Sequence, residues 1–303
     1  MPSRFGYVGV GILLTSAIAV IMLIYIFFIK FQVSFKKYPN PSRLQLKEAH
    51  VNVLSQQSFN PVFEKTAIDV ESLTFLYALD CLLHKPLAVL NEKELVSLLS
   101  SLGNFSLCQR FLYKNKTFGG LVMMDVNSGT KIIIFLAIGC YVGLKTWNNI
   151  LDFRDGNRRV PIKTSAANIY SDLSLDFSDL KPTDKIVLYG HSQGGTNAIL
   201  CALDLLQRGF CGNNLSIIAS GSLPCLSPTL ASYVSDQIQA SFEVLNLTDN
   251  AINWMLPYFT RLRNVYVFYD NLPHLPKFSV HGHDLQVYAQ NASHVVKLKN
   301  TNV

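Results

Sequence analysis

The pentapeptide Gly-His-Ser-Gln-Gly at 190–194 lies between two segments of different periodicity. Residues 186–189 form a short apolar run typical of a buried strand, and residues 196–207 repeat apolar side chains at helical spacing. A Gly-x-Ser-x-Gly sequence between a strand and a helix is typical of a sharp turn that holds the serine hydroxyl clear of the sheet. This setting predicts that Ser192 is a nucleophile.

The residues around Ser192 suit the chemistry that such a turn requires. A serine hydroxyl is a weak nucleophile until a base takes its proton, and backbone donors must face the reacting carbonyl group. Gly190, Gly194 and Gly195 allow the backbone to turn tightly and the following helix to pack closely. The alternative is a glycine-rich turn that carries an inert serine.

The N-terminal segment is strongly apolar. Residues 5–29 contain no formal charge, and the segment is long enough to cross the roughly 30 Å hydrocarbon layer as a helix. We therefore predict a membrane anchor at residues 1–30, a basic juxtamembrane linker at 31–62 and one main domain at 63–298. A cleaved signal peptide is the alternative, because residues 17–19 have a small-x-small sequence, but apolar residues continue beyond them.

The net charge of +6 is confined to the N-terminal region. Residues 1–47 hold six basic and no acidic side chains, which leaves 20 basic and 20 acidic side chains in the remainder. A nucleic-acid partner is therefore disfavoured, whereas anionic lipid headgroups suit the flank of the anchor. The side of the membrane stays open, because the basic flank favours the cytosol and five Asn-x-Ser/Thr sequons favour a lumenal or extracellular body. The sequons begin at Asn104, Asn115, Asn214, Asn246 and Asn291.

The cysteines show no pattern of a metal site. The six cysteines form no Cys-x-x-Cys pair and have no histidine at zinc-binding spacing, so we predict neither a metal nor another cofactor. Their even number permits disulfides, and the redox state stays open. They are Cys81, Cys108, Cys140, Cys201, Cys211 and Cys225.

The order of periodic segments predicts an α/β fold. Helical patterns occupy 70–83 and 91–102, with Asn91 as an N-cap, and a hairpin follows, with strands at 121–124 and 131–138. Apolar strand patterns then alternate with helical sequence, which is typical of a mostly parallel sheet covered on both faces. The later strands are predicted at 185–189, 215–220, 242–247 and 265–269.

A nucleophilic serine needs an imidazole base and an acid that orients it. In α/β-hydrolases these follow the serine in the order acid, then histidine. Asp249 closes the second strand after the nucleophile strand, where its carboxylate would lie at the carboxyl edge of the sheet, and Asp270 is the second candidate. Later histidines are His274, His281, His283 and His294.

Residues 185–257 resemble the fungal-type class 3 triacylglycerol lipases, which have the α/β-hydrolase fold. The resemblance lies in GHSQGGTNAILCALDLLQRG, IIASGSLP and FEVLNLTDNAINWMLP, in the order of that family. It implies that Asp249 is the catalytic acid. In HGHDLQVY it places the catalytic histidine at His283, with His281 as the alternative.

The resemblance also implies the position of the oxyanion hole. TKIIIFLAIGC is similar to the strand that ends in the family's Phe-Arg-Gly-Thr motif, so the backbone N–H groups of Cys140 and Gln193 would bind the oxyanion. Here Ile138 replaces the arginine and Cys140 replaces the hydroxyl residue, from which we expect reduced turnover because a thiol is a poor donor. Residues 141–151 match the lid position of these lipases, and an ordinary surface helix is the alternative.

Together these features predict a membrane-anchored serine lipase or esterase. Its substrate would be a carboxylic ester of a lipid, either an acylglycerol or a phospholipid, and its triad would consist of Ser192, His283 and Asp249. One alternative is a catalytically weak or inactive α/β-hydrolase module that binds lipid or a protein partner. Another is an enzyme that transfers the acyl chain to an alcohol rather than to water.

Overall fold

A mixed eight-stranded sheet forms the centre of the protein in the computed structural model. The structure describes residues 63, 67–83, 91–101, 105–114, 118–136, 160–249, 259–268 and 283–297. Within them, the strands lie side by side in chain order. They are β1 (Phe105–Leu112), β2 (Phe118–Asp125), β3 (Lys131–Phe135), β4 (Ile186–His191), β5 (Leu215–Ser220), β6 (Ala240–Asn246), β7 (Asn264–Phe268) and β8 (Val296–Lys297).

The direction of the strands divides the sheet into a parallel centre and antiparallel edges. Strands β3 to β7 pair in parallel, whereas β1 and β2 on one side and β8 on the other pair antiparallel. The parallel, doubly covered sheet predicted from the sequence is therefore confirmed for the centre. The antiparallel edges make the whole sheet mixed.

Helices cover both faces of the sheet and separate two hydrophobic cores. Apolar residues of α1, α2 and α6 contribute to one core, and apolar residues of α3, α4 and α5 contribute to the other. The described helices are α1 (Val70–Leu83), α2 (Glu92–Ser101), α3 (Thr164–Ser171), α4 (Gln193–Gln207), α5 (Pro228–Gln237) and α6 (Leu285–Gln290).

The sequence of strand β4 is continuously apolar because both faces of the strand are buried. Successive side chains of a strand point to opposite faces of the sheet, and both faces of β4 are covered. Ile186 and Leu188 belong to the core beside α4, whereas Val187 and Tyr189 belong to the core beside α1. The nucleophile strand is thus held between two packed layers.

The two helices predicted before the sheet are confirmed at 70–83 and 92–101. Asn91 caps the second of them, as predicted, because its Oδ1 accepts from the Glu94 N–H at 3.0 Å. The Glu94 carboxylate accepts in return from the Asn91 N–H at 2.9 Å, which completes a capping box. The helix therefore begins where its sequence provides acceptors for the free N–H groups of its first turn.

The predicted hairpin is also confirmed, and its turn has a local cause. Gly129 has φ +70°, and the Gly129 N–H donates to the Asp125 carbonyl oxygen at 2.8 Å. The Ser128 hydroxyl donates to the Asp125 carboxylate at 2.6 Å. The edge strand β1 was not predicted, because its half-buried residues do not form a continuous apolar run.

Several predicted features lie outside the described residues. No described helix combines the length and the apolarity needed to cross a bilayer. Of the sequons, Asn246 is completely buried at the end of β6, where a glycan could not be accommodated. The features outside are the anchor and linker at 1–62, the lid candidate at 141–151, the sequon residues Asn104 and Asn115, and Ile138, Cys140, Asp270, His274 and His281.

A buried acid connects α1 to the nucleophile strand. Asp80 is fully buried, and the Tyr189 hydroxyl of β4 donates to its carboxylate at 3.0 Å. Burial raises the pKa of Asp80 from 3.8 to about 7, although the hydrogen bond from Tyr189 opposes this shift. Asp80 therefore titrates near neutral pH inside the core.

This titration makes the free energy of unfolding depend on pH. The folded state holds the Asp80 proton up to about pH 7 and the unfolded state loses it near 3.8, so stability falls as pH rises between these values. The expected slope is about 1.4 kcal/mol per pH unit. Asp80→Asn should remove this slope. In urea unfolding, the stability of the variant relative to wild type should rise with pH and then level off; a difference independent of pH would contradict the assignment.

Candidate active site

The backbone at Ser192 forms a sharp turn between β4 and α4. Ser192 has φ 58° and ψ −126°, and it is the non-glycine residue with positive φ among the described residues. A Cβ atom at Gly190 would lie 2.2 Å from the Gly194 carbonyl carbon, and one at Gly195 would lie 2.9 Å from the Gly190 oxygen. Only glycine at 190 allows the strand and the helix to approach so closely.

Hydrogen bonds hold the turn on both sides. The Ser192 N–H donates to the Ser220 carbonyl oxygen at the end of β5, at 2.8 Å. The Ser192 carbonyl oxygen accepts from the Thr196 N–H at 3.2 Å, in the first turn of α4. The strained backbone of Ser192 is therefore fixed by the neighbouring strand and by its own helix, and its side chain stays partly exposed.

The His283 imidazole connects Ser192 to Asp249. Its Nε2 lies 2.7 Å from the Ser192 Oγ, and its Nδ1 lies 2.6 Å from the Asp249 Oδ2. A carboxylate only accepts hydrogen bonds, so Nδ1 carries the proton and donates to Asp249. Nε2 is then free to accept the hydroxyl proton of Ser192, which is the arrangement that a general base requires.

Asp249 lies three residues beyond the end of β6 in a short turn. Its N–H donates to the Asn246 carbonyl oxygen at 3.0 Å, and its side chain is fully buried. The Tyr288 hydroxyl donates to the same carboxylate oxygen as His283, at 3.0 Å. Burial without such donors would be costly for a carboxylate, so His283 and Tyr288 together stabilise it.

Two hydrogen bonds fix the Tyr288 hydroxyl so that it donates to Asp249. This oxygen accepts from the Asn246 N–H at 3.1 Å and donates to Asp249. Burial first, and the negative charge of Asp249 second, raise the pKa of Tyr288 well above its usual value. The phenol therefore stays protonated and remains a donor to the acid.

The structure brings together three of the residues that the sequence singled out. Ser192, Asp249 and His283 are in direct contact, whereas His294 lies on an exposed 3-10 turn. Gln193 is the first residue of α4, so its N–H has no acceptor within the helix and is available at the turn. The catalytic role of each residue, including Gln193 in an oxyanion hole, remains a prediction.

Two residues of this region were not assigned a role from sequence. Tyr288 contacts Asp249, and the His191 Nε2 lies 2.9 Å from the His283 carbonyl oxygen. His191 is part of the glycine-rich pentapeptide, and Tyr288 follows His283 by five residues in the segment HDLQVY. Both lie in motifs that carry the family resemblance, but sequence alone does not show which distant partner a buried polar side chain contacts.

The described residues do not form a candidate metal centre. The described part of the chain contains no group of three or more His, Cys, Asp or Glu residues that could hold a metal ion. The described cysteines are free thiols, and of these Cys201 and Cys225 are buried. The reactive groups that the structure shows in contact are the Ser192 hydroxyl, the His283 imidazole and the Asp249 carboxylate.

Comparison with known proteins places these residues in a family context. The sequence profile described as "Lipase (class 3)" matches residues 143–257, which include Ser192 and Asp249 and end before His283. A lipase of Rhizomucor miehei is 44% identical over 62 residues. This match covers 20% of the present chain and 17% of the relative, so the chain spans only a small part of that curated protein.

Solved lipase structures have a similar fold. The Rhizomucor miehei lipase in complex with its propeptide superposes with a TM-score of 0.50 at 18% identity, covering 71% of this chain and 77% of that chain. A triacylglycerol lipase with a serine protease triad gives 0.46 at 18% identity, with coverages of 80% and 94%. The profile match thus confirms the sequence resemblance to class 3 lipases at residues 143–257, and the superposition with a TM-score of 0.50 shows a similar α/β-hydrolase fold.

The contact between Tyr288 and Asp249 predicts a specific loss of reactivity. Tyr288→Phe removes a donor to a buried carboxylate, a hydrogen bond worth about 1.5–3 kcal/mol. We expect the labelling rate of Ser192 by a fluorophosphonate to fall by about tenfold or more. Tyr266→Phe is the matched control, because Tyr266 is also buried and its hydroxyl accepts from the Ile68 N–H instead. Equal rates in the two variants would show that the Tyr288 hydroxyl does not support the acid.

Proposed function

We propose that this chain, whose residues 143–257 match the class 3 lipases, is a serine hydrolase that cleaves carboxylic ester bonds of lipids. The observation that carries the proposal is the continuous set of contacts from Ser192 through His283 to Asp249, at 2.7 and 2.6 Å. A buried acid, an oriented imidazole and a serine on a strained turn form the arrangement needed for acyl transfer.

The reaction begins with attack by the Ser192 Oγ on the acyl carbonyl carbon. His283 Nε2 takes the hydroxyl proton as the bond forms, and Asp249 stabilises the resulting imidazolium through Nδ1. When the tetrahedral intermediate collapses, the ester C–O bond breaks and His283 gives the proton to the leaving alcohol. Water then attacks the acyl-enzyme by the same route and releases the carboxylic acid.

The oxyanion of the intermediate requires donors near the nucleophile. The Gln193 N–H at the start of α4 is one donor that we assign to this role, since the helix N-terminus also favours negative charge. The Gln193 side chain does not compete for that position, because its amide donates to the Asn197 side chain at 3.2 Å. The Cys140 N–H is the second donor that we propose, on the basis of the sequence resemblance.

The proposed substrate is a lipid ester, either an acylglycerol or a phospholipid. The class 3 lipase match supports a lipid, and the strongly apolar segment at 5–29 supports a chain that works at a membrane. We propose a single-pass N-terminal anchor that holds the hydrolase domain beside the bilayer. Tethering would raise the local concentration of a lipid substrate without any additional contact.

Ser192→Ala provides the direct test of hydrolysis. The variant should lose fluorophosphonate labelling and at least about 10³-fold of the activity on a long-chain acylglycerol, because the nucleophile is gone. Ser232→Ala is the control, since Ser232 lies on the exposed side of α5 and should leave both properties unchanged. Folded wild-type protein that is neither labelled nor active would instead support a module that only binds lipid or a partner.

Deletion of residues 1–30 provides the test of the anchor. The full chain should remain in the membrane fraction after alkaline carbonate washing, whereas the shortened chain should be extracted, because its apolar segment is missing. Hydrolysis of a short soluble ester should be similar in the two proteins. Retention of the shortened chain in the washed membranes would contradict a single-pass anchor.

A further inference from the structure

A second histidine lies directly beside the imidazole that contacts the nucleophile. His191 is the last residue of β4 and is 4% exposed. Its Nε2 lies 2.9 Å from the carbonyl oxygen of His283, 92 residues away in sequence. A carbonyl oxygen only accepts hydrogen bonds, so Nε2 of His191 carries a proton and donates it to this contact.

We propose that His191 is a positioning residue, whose Nε2–H fixes the main chain of His283 and thereby aims the imidazole of His283 at Ser192. The inference rests on the proposed hydrolase function and deepens it. His191 contacts the His283 carbonyl oxygen, which is not a reacting atom. It acts through His283, by way of a hydrogen bond to the backbone.

Two attachments together determine where the imidazole of His283 lies. His191 holds the carbonyl group, Asp249 holds Nδ1, and Nε2 then faces Ser192. Because the carbonyl and the ring belong to one residue, only two side-chain torsions separate the fixed main chain from Nε2. His191 and Ser192 are neighbours at the end of β4, so the same strand end presents the nucleophile and positions its base.

The His191 ring has little freedom to turn away from this contact. Its centroid lies 5.1 Å from the His283 ring and 4.8 Å from the Tyr288 ring, with interplanar angles of 37° and 65°. On the side of β5, a Cβ atom at Gly221 would lie 3.0 Å from the His191 Cε1 and 3.0 Å from the Tyr288 hydroxyl oxygen. Packing thus presents the donor in one orientation.

The geometry explains why a lost donor would affect catalysis more than binding. Without the hydrogen bond, the His283 main chain can shift while Asp249 still holds the ring edge, so the distance from Nε2 to the Ser192 Oγ changes. A misplacement of about 1 Å costs on the order of 10²-fold in rate. Because His191 is buried and barely accessible to a substrate, we expect KM to change little.

The test compares substitutions of His191 that keep or remove a hydrogen-bond donor at the position of Nε2. His191→Phe keeps a planar ring and removes the donor, so kcat should fall by about 10–100-fold with KM within about twofold. His191→Gln places an amide N–H near the position of Nε2 and should restore kcat to within about threefold of wild type. Loss of the same size in the folded Phe and Gln variants, or full activity in the Phe variant, would overturn the proposal.

A second pair keeps the proposal testable if the Phe variant does not fold. Gln and Asn carry the same amide, but Asn is one methylene shorter and its donor cannot reach the His283 carbonyl oxygen. His191→Asn should therefore have a kcat at least about tenfold below that of His191→Gln. Equal kcat values in these two variants would overturn the positioning role, whatever the stability of the Phe variant.

A spectroscopic measurement separates this inference from the proposed function. The proton between His283 Nδ1 and Asp249 should give a low-field ¹H NMR signal in the full chain, and Asp249→Asn identifies it by its loss. The signal should be shifted or broadened in His191→Asn and retained in His191→Gln, even if wild type hydrolyses no lipid ester. Inactive wild type would reject the hydrolase function alone, whereas an unchanged signal in His191→Asn would reject the positioning role alone.

Discussion

The close approach of two backbone segments at the end of β4 is the constraint on which the candidate site depends. Gly190 lies against the main chain of Gly194, so the chain can leave the strand and enter α4 with almost no intervening loop. This contact forces Ser192 into a positive-φ conformation, which the hydrogen bond to β5 then holds. The position of the hydroxyl follows from main-chain packing, and not from the serine side chain itself.

Helix α1 supports the turn at Ser192 through hydrogen bonds to β4 and to the end of β5. The Tyr77 hydroxyl is hydrogen-bonded to Ser220, whose carbonyl oxygen accepts from the Ser192 N–H, and Asp80 is bound to Tyr189 of the nucleophile strand. These contacts lie in a helix that precedes the segment matched by the class 3 lipase profile. Helix α1, which precedes the matched segment, therefore helps to hold the strands that position Ser192.

Much of this arrangement could be predicted from sequence because it depends on local signals. The strand before Ser192, the helix after it and the turn at 127–129 follow from apolar periodicity and glycine placement. Asp249 was found because the carboxyl ends of neighbouring parallel strands lie at one edge of a sheet. The choice of His283 required a family resemblance, since nothing local to this histidine distinguishes it from the other late histidines.

The features that sequence did not predict depend on contacts between distant residues. The contact of Tyr288 with Asp249 joins residues 39 apart, and that of His191 with His283 joins residues 92 apart. Strand β1 was missed because an edge strand buries only part of each side chain. In each case, contacts with residues that are distant in sequence determine the environment of the side chain, and the adjacent residues do not.

The two residues that donate hydrogen bonds to Asp249 come from one short segment of the chain. His283 precedes α6 and Tyr288 lies within it, whereas the nucleophile turn is built from strands and helices formed by earlier residues. A nascent polypeptide that has been translated as far as Phe268 contains the turn at Ser192 and the buried Asp249, but it lacks His283, which contacts the Ser192 hydroxyl. Under the proposed mechanism, hydrolysis therefore becomes possible only after the segment that contains His283 and α6 has left the ribosome and packed against the rest of the site.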